Sequence, residues 1–391
     1  MSQMQGLDQL IARHRIIVCA GSGGVGKTTT AASIALRGAL QGRRAIVLTI
    51  DPARRLADSL GVGPIGNTPG EVPGEVLGEG VAGSLAAMML DQQGSWDELV
   101  ARHSPRPEVE ATILANPFYQ QLSQSFAGSQ EYMAVEQLGA LESSGDYDLI
   151  VVDTPPTQHA LDFLDAPDKL LAFLDKQVVK WFLPGVTSGW SVFQSMNRSV
   201  RFVVDKIEDV TGVAVLSQVS EFFAGMGELF DGFEARVERV TALLRDEQTA
   251  FVLVAGPGEQ VLGQAEYLQG RMADKGMPLK GVVMNRVHEL AGALERQPLL
   301  AGAEEVFAAI ATAKGLAAPE ALAAVLAGTG RDYVSRAQGD ALRIELFRAG
   351  LPVGLPIAQV PDLSSDIHDI DGLRSLHPYL FPVEAVTARR S

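Results

Sequence analysis

The stretch Arg15-Ile16-Ile17-Val18-Cys19-Ala20-Gly21-Ser22-Gly23-Gly24-Val25-Gly26-Lys27-Thr28-Thr29-Thr30 decides the fold. Its apolar, β-branched opening reads as a buried strand, and residues 28–42 read as a helix. Between them, Gly21 to Thr28 satisfies the pattern G-x-x-x-x-G-K-[ST]. Glycines let backbone N–H groups curl around an anion at a helix N-terminus, where the helix dipole favours negative charge. Lys27 is placed to reach β- and γ-phosphates, and the Thr28 hydroxyl to hold Mg2+. A glycine-rich turn with a chance Lys-Thr is the bland alternative, and the flanking strand and helix speak against it.

Outward from this stretch the same alternation recurs. AIVLTI (45–50) leads into ARRLADSL, DLIVV (148–152) into a proline turn, and FVLVA (251–255) into a helical run. GVVMN (281–285) and LPIAQV (355–360) are further strands, with LAAMML (85–90) as another candidate. Continuous apolar strands alternating with helices predict an α/β fold: a mostly parallel sheet with helices on both faces. Residues 62–83 read as a Gly/Pro-rich loop. Residues 165–248 read as a helical insertion and 289–345 as a second helical excursion. The expected organisation is one domain over 1–391, with 383–391 as a flexible tail.

Composition narrows the function. The 391 residues are 47% apolar and carry a net charge of −15, from 32 Lys and Arg against 47 Asp and Glu. Such a chain can bury a core, and its charge repels nucleic acid and anionic lipid. No signal peptide is visible, and no apolar run has the length of a stable membrane span. The one cysteine, Cys19, excludes an intrachain disulfide. A cytoplasmic protein is expected.

Two aspartates close strands of the alternation. Asp51 follows LTI, where a carboxylate orients a water or reaches a metal shell. It serves equally as a helix cap ahead of Pro52, and both readings hold together. Asp153 follows LIVV and fits a carboxylate acting on Mg2+, with Thr154-Pro155-Pro156-Thr157 and His159 beyond as a segment suited to sensing a γ-phosphate. The plainer reading of Asp153 is a capping residue in a proline turn.

Together these residues resemble the ArsA-type ATPases, a family of the MinD-like phosphate-loop branch that includes the targeting ATPase for tail-anchored proteins. The family's GKGGVGKT is similar to Gly21–Thr28, its TDPAH to Thr49-Ile50-Asp51-Pro52-Ala53, and its DTAPTGH to Asp153–His159. Its adenine-binding Asn resembles Asn285, and its late proline loop resembles Val360-Pro361-Asp362-Leu363. NPFYQQLSQSFAGSQEYMA and ALDFLDAP are similar to a bacterial Get-like branch. The resemblance spans residues 15–375. It implies ATP as substrate and Mg2+ as cofactor, and a dimer that hydrolysis opens and closes. ATP would lie on Gly21 through Thr29, Asn285 and Pro361, with Thr28, Asp51 and Asp153 around the metal and Asp51 placing the attacking water.

The chain departs from the family in three places. The signature lysine that crosses the dimer is Ser22 here, and Arg54 and Arg55 are candidate substitutes. The C-x-x-C of zinc-stapled dimers is absent, so no zinc is expected. Arsenite capture needs clustered thiolates, and Cys19 is alone. In the insertion, Val219, Phe222, Phe223, Met226, Leu229, Phe230 and Phe233 recur at spacings of three and four. Such a face fits an apolar protein client or ordinary core packing. Two roles follow: an ATP-driven carrier of apolar segments, or a slow regulatory ATPase paired with a paralogous chain. An arsenite-pump subunit is a third, weaker reading. The partner is a second copy or such a paralogue.

Overall fold

The computed structural model describes residues 6–50, 55–63, 65–78, 81–104, 106–125, 129–155, 233–290 and 303–382. Within them α1 (Leu7–Arg13) and β1 (Ile16–Gly21) precede α2 (Lys27–Leu40), β2 (Arg44–Thr49) and α3 (Arg55–Leu60). Next come β3 (Gly70–Glu71), α4 (Gly74–Leu77) and β4 (Ser84–Met89). Four helices follow, α5 (Gln92–His103), α6 (Pro107–Ala115), α7 (Pro117–Ser125) and α8 (Ser129–Ser144), before β5 (Leu149–Asp153). The second half holds α9 (Phe233–Arg245), β6 (Thr249–Ala255), α10 (Glu259–Asp274) and β7 (Leu279–Val287). It ends with α11 (Ala303–Ala313), α12 (Pro319–Ala349), β8 (Ile357–Pro361), α13 (Ile370–Ser375) and α14 (His377–Leu380).

The strands form one sheet in the order β3-β4-β2-β5-β1-β6-β7-β8. Every pairing is parallel except β3 with β4. Alternate residues of each strand enter opposite cores: Ile16, Val18 and Ala20 join one, Ile17 and Cys19 the other. Both faces are covered, which is why these strands read as unbroken apolar runs. The register matters more than the count. Asp153 pairs with Cys19 on one side and with Thr49 on the other, so β2 and β5 end at one level and β1 runs two residues further, to Gly21.

The expected loop at 62–83 is partly folded, because β3 gains antiparallel bonds from β4 and α4 adds a turn of helix. Of the helical insertion, only its end is described, as α9. The second excursion contains α11 and α12, and α12 continues four residues past 345, to Ala349. The Phe-rich face and the tail at 383–391 lie outside the described residues.

The C-terminal helices dock on α2. Ser33 Oγ donates to the Leu373 carbonyl at 3.2 Å, and Arg37 grips Asp8 through two bonds of 2.9 Å. The Arg37 guanidinium lies 5.4 Å from the Phe381 ring centre. His377 meets Phe381 edge to face at 5.2 Å, and its buried Nε2 has no partner. Burial first, then the Arg37 charge, lowers the His377 pKa to about 4 from the ordinary 6.5. Folding therefore favours the neutral ring. Its contribution is complete above about pH 6.5 and is lost as pH falls towards 4. Thermal midpoints measured from pH 7 to 4.5 are expected to fall more steeply for the wild type than for His377→Gln. Parallel slopes would contradict this.

Candidate functional site

Gly21 to Gly26 join β1 to α2, and the turn needs glycine at two points. Gly24 has φ +75° and Gly26 φ +93°, in the left-handed region that side chains avoid. At Gly26 space is also lacking, since an added Cβ would sit 2.3 Å from Nδ2 of Asn285. That amide donates to the Val25 carbonyl at 2.8 Å, so a β7 side chain latches the loop. Lys27 Nζ donates to the Ser22 carbonyl at 2.9 Å, which folds the ammonium over the concavity of the loop.

Asp153 sits beneath. It is fully buried, and its Oδ2 accepts hydrogen bonds from Thr28 Oγ1 at 2.7 Å and Thr49 Oγ1 at 2.9 Å. One carboxylate thus joins the start of α2, the end of β2 and the end of β5. Thr154 adds a second tie, donating from Oγ1 to the Cys19 carbonyl at 2.9 Å. The Cys19 thiol is buried between them, and its pKa is pushed up by burial and the Asp153 charge. A hydroxyl and a carboxylate at hydrogen-bond distance are hard oxygen donors of the kind Mg2+ takes beside phosphate. The residues present fit that ion.

A cavity of about 690 Å3 opens over the loop. Gly24, Gly26 to Thr30 and Thr154 line it, together with Asn285, Arg286 and Pro361. With them stand Asp58 and Ser59 of α3 and the segment from Asp362 to His368. Of the expected site residues, Gly24, Gly26 to Thr29, Asn285 and Pro361 line this cavity, and Asp153 reaches its edge through the bond to Thr28. Asp51, Arg54 and His159 lie outside the described residues, and Arg55 is described only as the start of α3. Ser22 is buried, and its Oγ has no hydrogen-bond partner.

Sequence reasoning gave four neighbours no bond or cavity contact of their own, although Thr154 lay in the segment suited to sensing a γ-phosphate. Thr49 was part of a recognised motif, and its place at a strand end beside an aspartate was the available signal. Thr154 follows Asp153 directly. Asp58 and Ser59 carry no signal, because only the packing of α3 brings them to the cavity.

A parallel sheet with a phosphate loop after its first strand and a carboxylate under that loop defines a phosphate-loop nucleotide hydrolase. The chain belongs to the anion-transporting ATPase family, whose profile matches residues 14–291, and its enzyme class is ATPase. It is similar to ATPase GET3 of Malassezia globosa, 28% identical over 272 residues that cover 69% of this chain and 72% of that protein. ATPase GET3 of Podospora anserina is 26% identical over 277 residues, 70% of this chain and 73% of that one. ATPase get3 of Aspergillus terreus reaches 34% over 163 residues, 41% of this chain and 46% of its own length. Among the described residues, no helix is long and apolar enough to cross a membrane.

Gly26→Ala is expected to weaken nucleotide binding at least tenfold, because left-handed strain of about 1–2 kcal/mol adds to the collision with Asn285. Asn285→Ala removes the collision but also the latch on the Val25 carbonyl, and is expected to weaken binding on its own. Titration with a fluorescent ATP analogue measures both, and an unchanged affinity in Gly26→Ala would contradict the loop geometry.

Proposed function

We propose that this ATPase is a Mg-ATP-driven conformational switch, working as a dimer and carrying apolar protein segments. The bridge from Asp153 to Thr28 and Thr49 carries the reading, because it wires the start of α2 to the ends of β5 and β2. Backbone N–H groups of residues 23–26 take the phosphate oxygens, and Lys27 exchanges the Ser22 carbonyl for them. Thr28 and Asp153 would hold Mg2+, and Asp51 is the third residue proposed for the metal. The ion, when bound, neutralises charge on the β- and γ-phosphates. Asp51 orients the attacking water and accepts its hydrogen bond, so Asp51 and Lys27 are the catalytic residues. Asn285 and Pro361 hold the base.

The switch follows from the same bonds. The Thr28 hydroxyl has a lone pair for a metal and a proton for Asp153, so an ion held there would pull on Asp153 and, through it, on Thr49. Residues on β2 and β5 thus sense the nucleotide without touching it. The GET3 names of the relatives support targeting of apolar clients, and the Phe-rich repeat at 219–233 is the segment proposed to meet them. A single buried thiol offers no thiolate cluster for arsenite.

Nucleotide binding and steady-state phosphate release, with mass in solution, test the reading. Lys27→Ala is expected to lose binding at least tenfold. Asp51→Asn is expected to keep binding and lose turnover by roughly 10²-fold or more, the scale of a positioned base. Equal losses of binding and turnover in Asp51→Asn would favour the capping role instead. A monomer at all nucleotide conditions would overturn the dimeric switch.

Ser22 favours a slow enzyme as a second reading, a regulatory ATPase paired with a paralogous chain. Its side chain is short, uncharged and buried, so no cation leaves this position for a partner's phosphates. A charge delivered across an interface is worth about 10³-fold or more in rate. Ser22→Lys is therefore expected to raise turnover roughly tenfold or more, and Arg55→Ala to lower it. A fast wild type insensitive to both changes would show that no charge is missing.

A further inference from the structure

Strand β7 is irregular where it meets the cavity. Its register with β8 shifts between Met284 and Val287, and Arg286, inside the shift, has φ +58°. A left-handed non-glycine residue costs on the order of 1–3 kcal/mol and persists only where its surroundings over-determine it. Local bonds supply part of the restraint: the Arg286 N–H donates to Asn285 Oδ1 at 3.0 Å, and the Asp362 N–H to the Val287 carbonyl at 3.0 Å.

The remaining restraint comes from α12, from a residue 52 positions further along the chain than the strand it holds. Asp340 is buried, and its Oδ2 accepts the His288 backbone N–H at 3.0 Å and meets the His288 Nδ1 at 2.8 Å. Its Oδ1 accepts from Arg343 at 2.6 Å, and Arg343 Nε donates to the Pro257 carbonyl just beyond β6, also at 2.6 Å. Tyr333, one helical face earlier, stacks edge-on against the His288 ring at 5.6 Å and donates to the Glu289 carbonyl at 3.0 Å. A carboxylate and a tyrosine of one helix thus take hold of the chain just after the left-handed residue, and an arginine ties that carboxylate to the turn after β6.

We infer that Asp340 is a positioning residue for the base end of the nucleotide site, holding the turn at Asn285 and Arg286 through His288. It touches neither the cavity nor the phosphate loop. Its effect passes through one backbone N–H to a strained turn, and from that turn through the Asn285 amide to the Val25 carbonyl. Burial of the carboxylate is worth its desolvation only with both oxygens engaged, and both are. The long helix and the base site are consequently linked: displacing α12 loosens the base end, and filling the base end steadies α12. This rests on the cavity being the nucleotide site.

The experiment compares wild type, Asp340→Leu, Asp340→Asn and Arg331→Ala, the last removing only an exposed pair between α12 and Glu304 of α11. Equilibrium binding of ADP, KM and kcat for ATP, and thermal midpoint are measured on each. Asp340→Leu is expected to raise Kd and KM roughly tenfold with kcat changed less than about twofold. Asp340→Asn keeps one acceptor for the His288 N–H and is expected to fall between. Arg331→Ala leaves all three constants where they were. Amide exchange at residues 286–288, read at a temperature well below each midpoint, is expected to speed up in Asp340→Leu. This readout stands even where the variant is less stable. A lower midpoint with Kd and KM unchanged, or exchange unchanged at 286–288, would reduce Asp340 to a packing bond and overturn the inference. A wild type that binds no nucleotide would overturn the site itself, a distinct result.

Discussion

One buried carboxylate organises this molecule. Asp153 is sealed at the end of a strand flanked by two others, and burying a charge there is tolerable only because hydroxyl donors converge on it. Those donors come from the first turn of α2 and from the last residue of β2. The parallel register makes the convergence possible, since β2 and β5 end at one level. An antiparallel neighbour would have put its start there and left the carboxylate short of partners.

The same geometry separates the tasks of the site. The loop end is built from backbone, with left-handed glycines and a helix start. The other end is built from side chains on β7 and the segment after β8. Asn285 belongs to both, because its amide lies against Gly26 and holds the Val25 carbonyl. The loop is therefore shaped from the side as well as from beneath, and each grip depends on a strand that would otherwise be only scaffold.

How much of this was legible in the sequence follows from how local each signal is. Strand β1, the glycine turn and α2 are contiguous, and their periodicity and motif agree, so the decisive unit can be read in one pass. Strands β2, β5, β6, β7 and β8 were legible for the same reason, as apolar runs covered on both faces. Strand β3 was not. Two residues carry no period, and only the bonds offered by β4 make them a strand. Asp340 shows the other limit. An aspartate in an Ala-rich helix reads as solvated, and its true neighbour is a histidine 52 residues earlier. The cavity wall from Val360 to His368 was visible only as far as Leu363, where a motif marked it.

Cys19 is the chain's one thiol, and it lies with no exposed surface in an interior strand of the sheet. Alkylating reagents attack the thiolate, and here both access and ionisation are withheld until β1 parts from its neighbours. The rate of alkylation therefore keeps time for one event, the opening of the strand that carries the phosphate loop. No engineered probe is required, and no second thiol blurs the signal. Any molecule that grips the loop slows this clock in proportion to how completely it occupies the folded form, which turns a silent core residue into a gauge of occupancy.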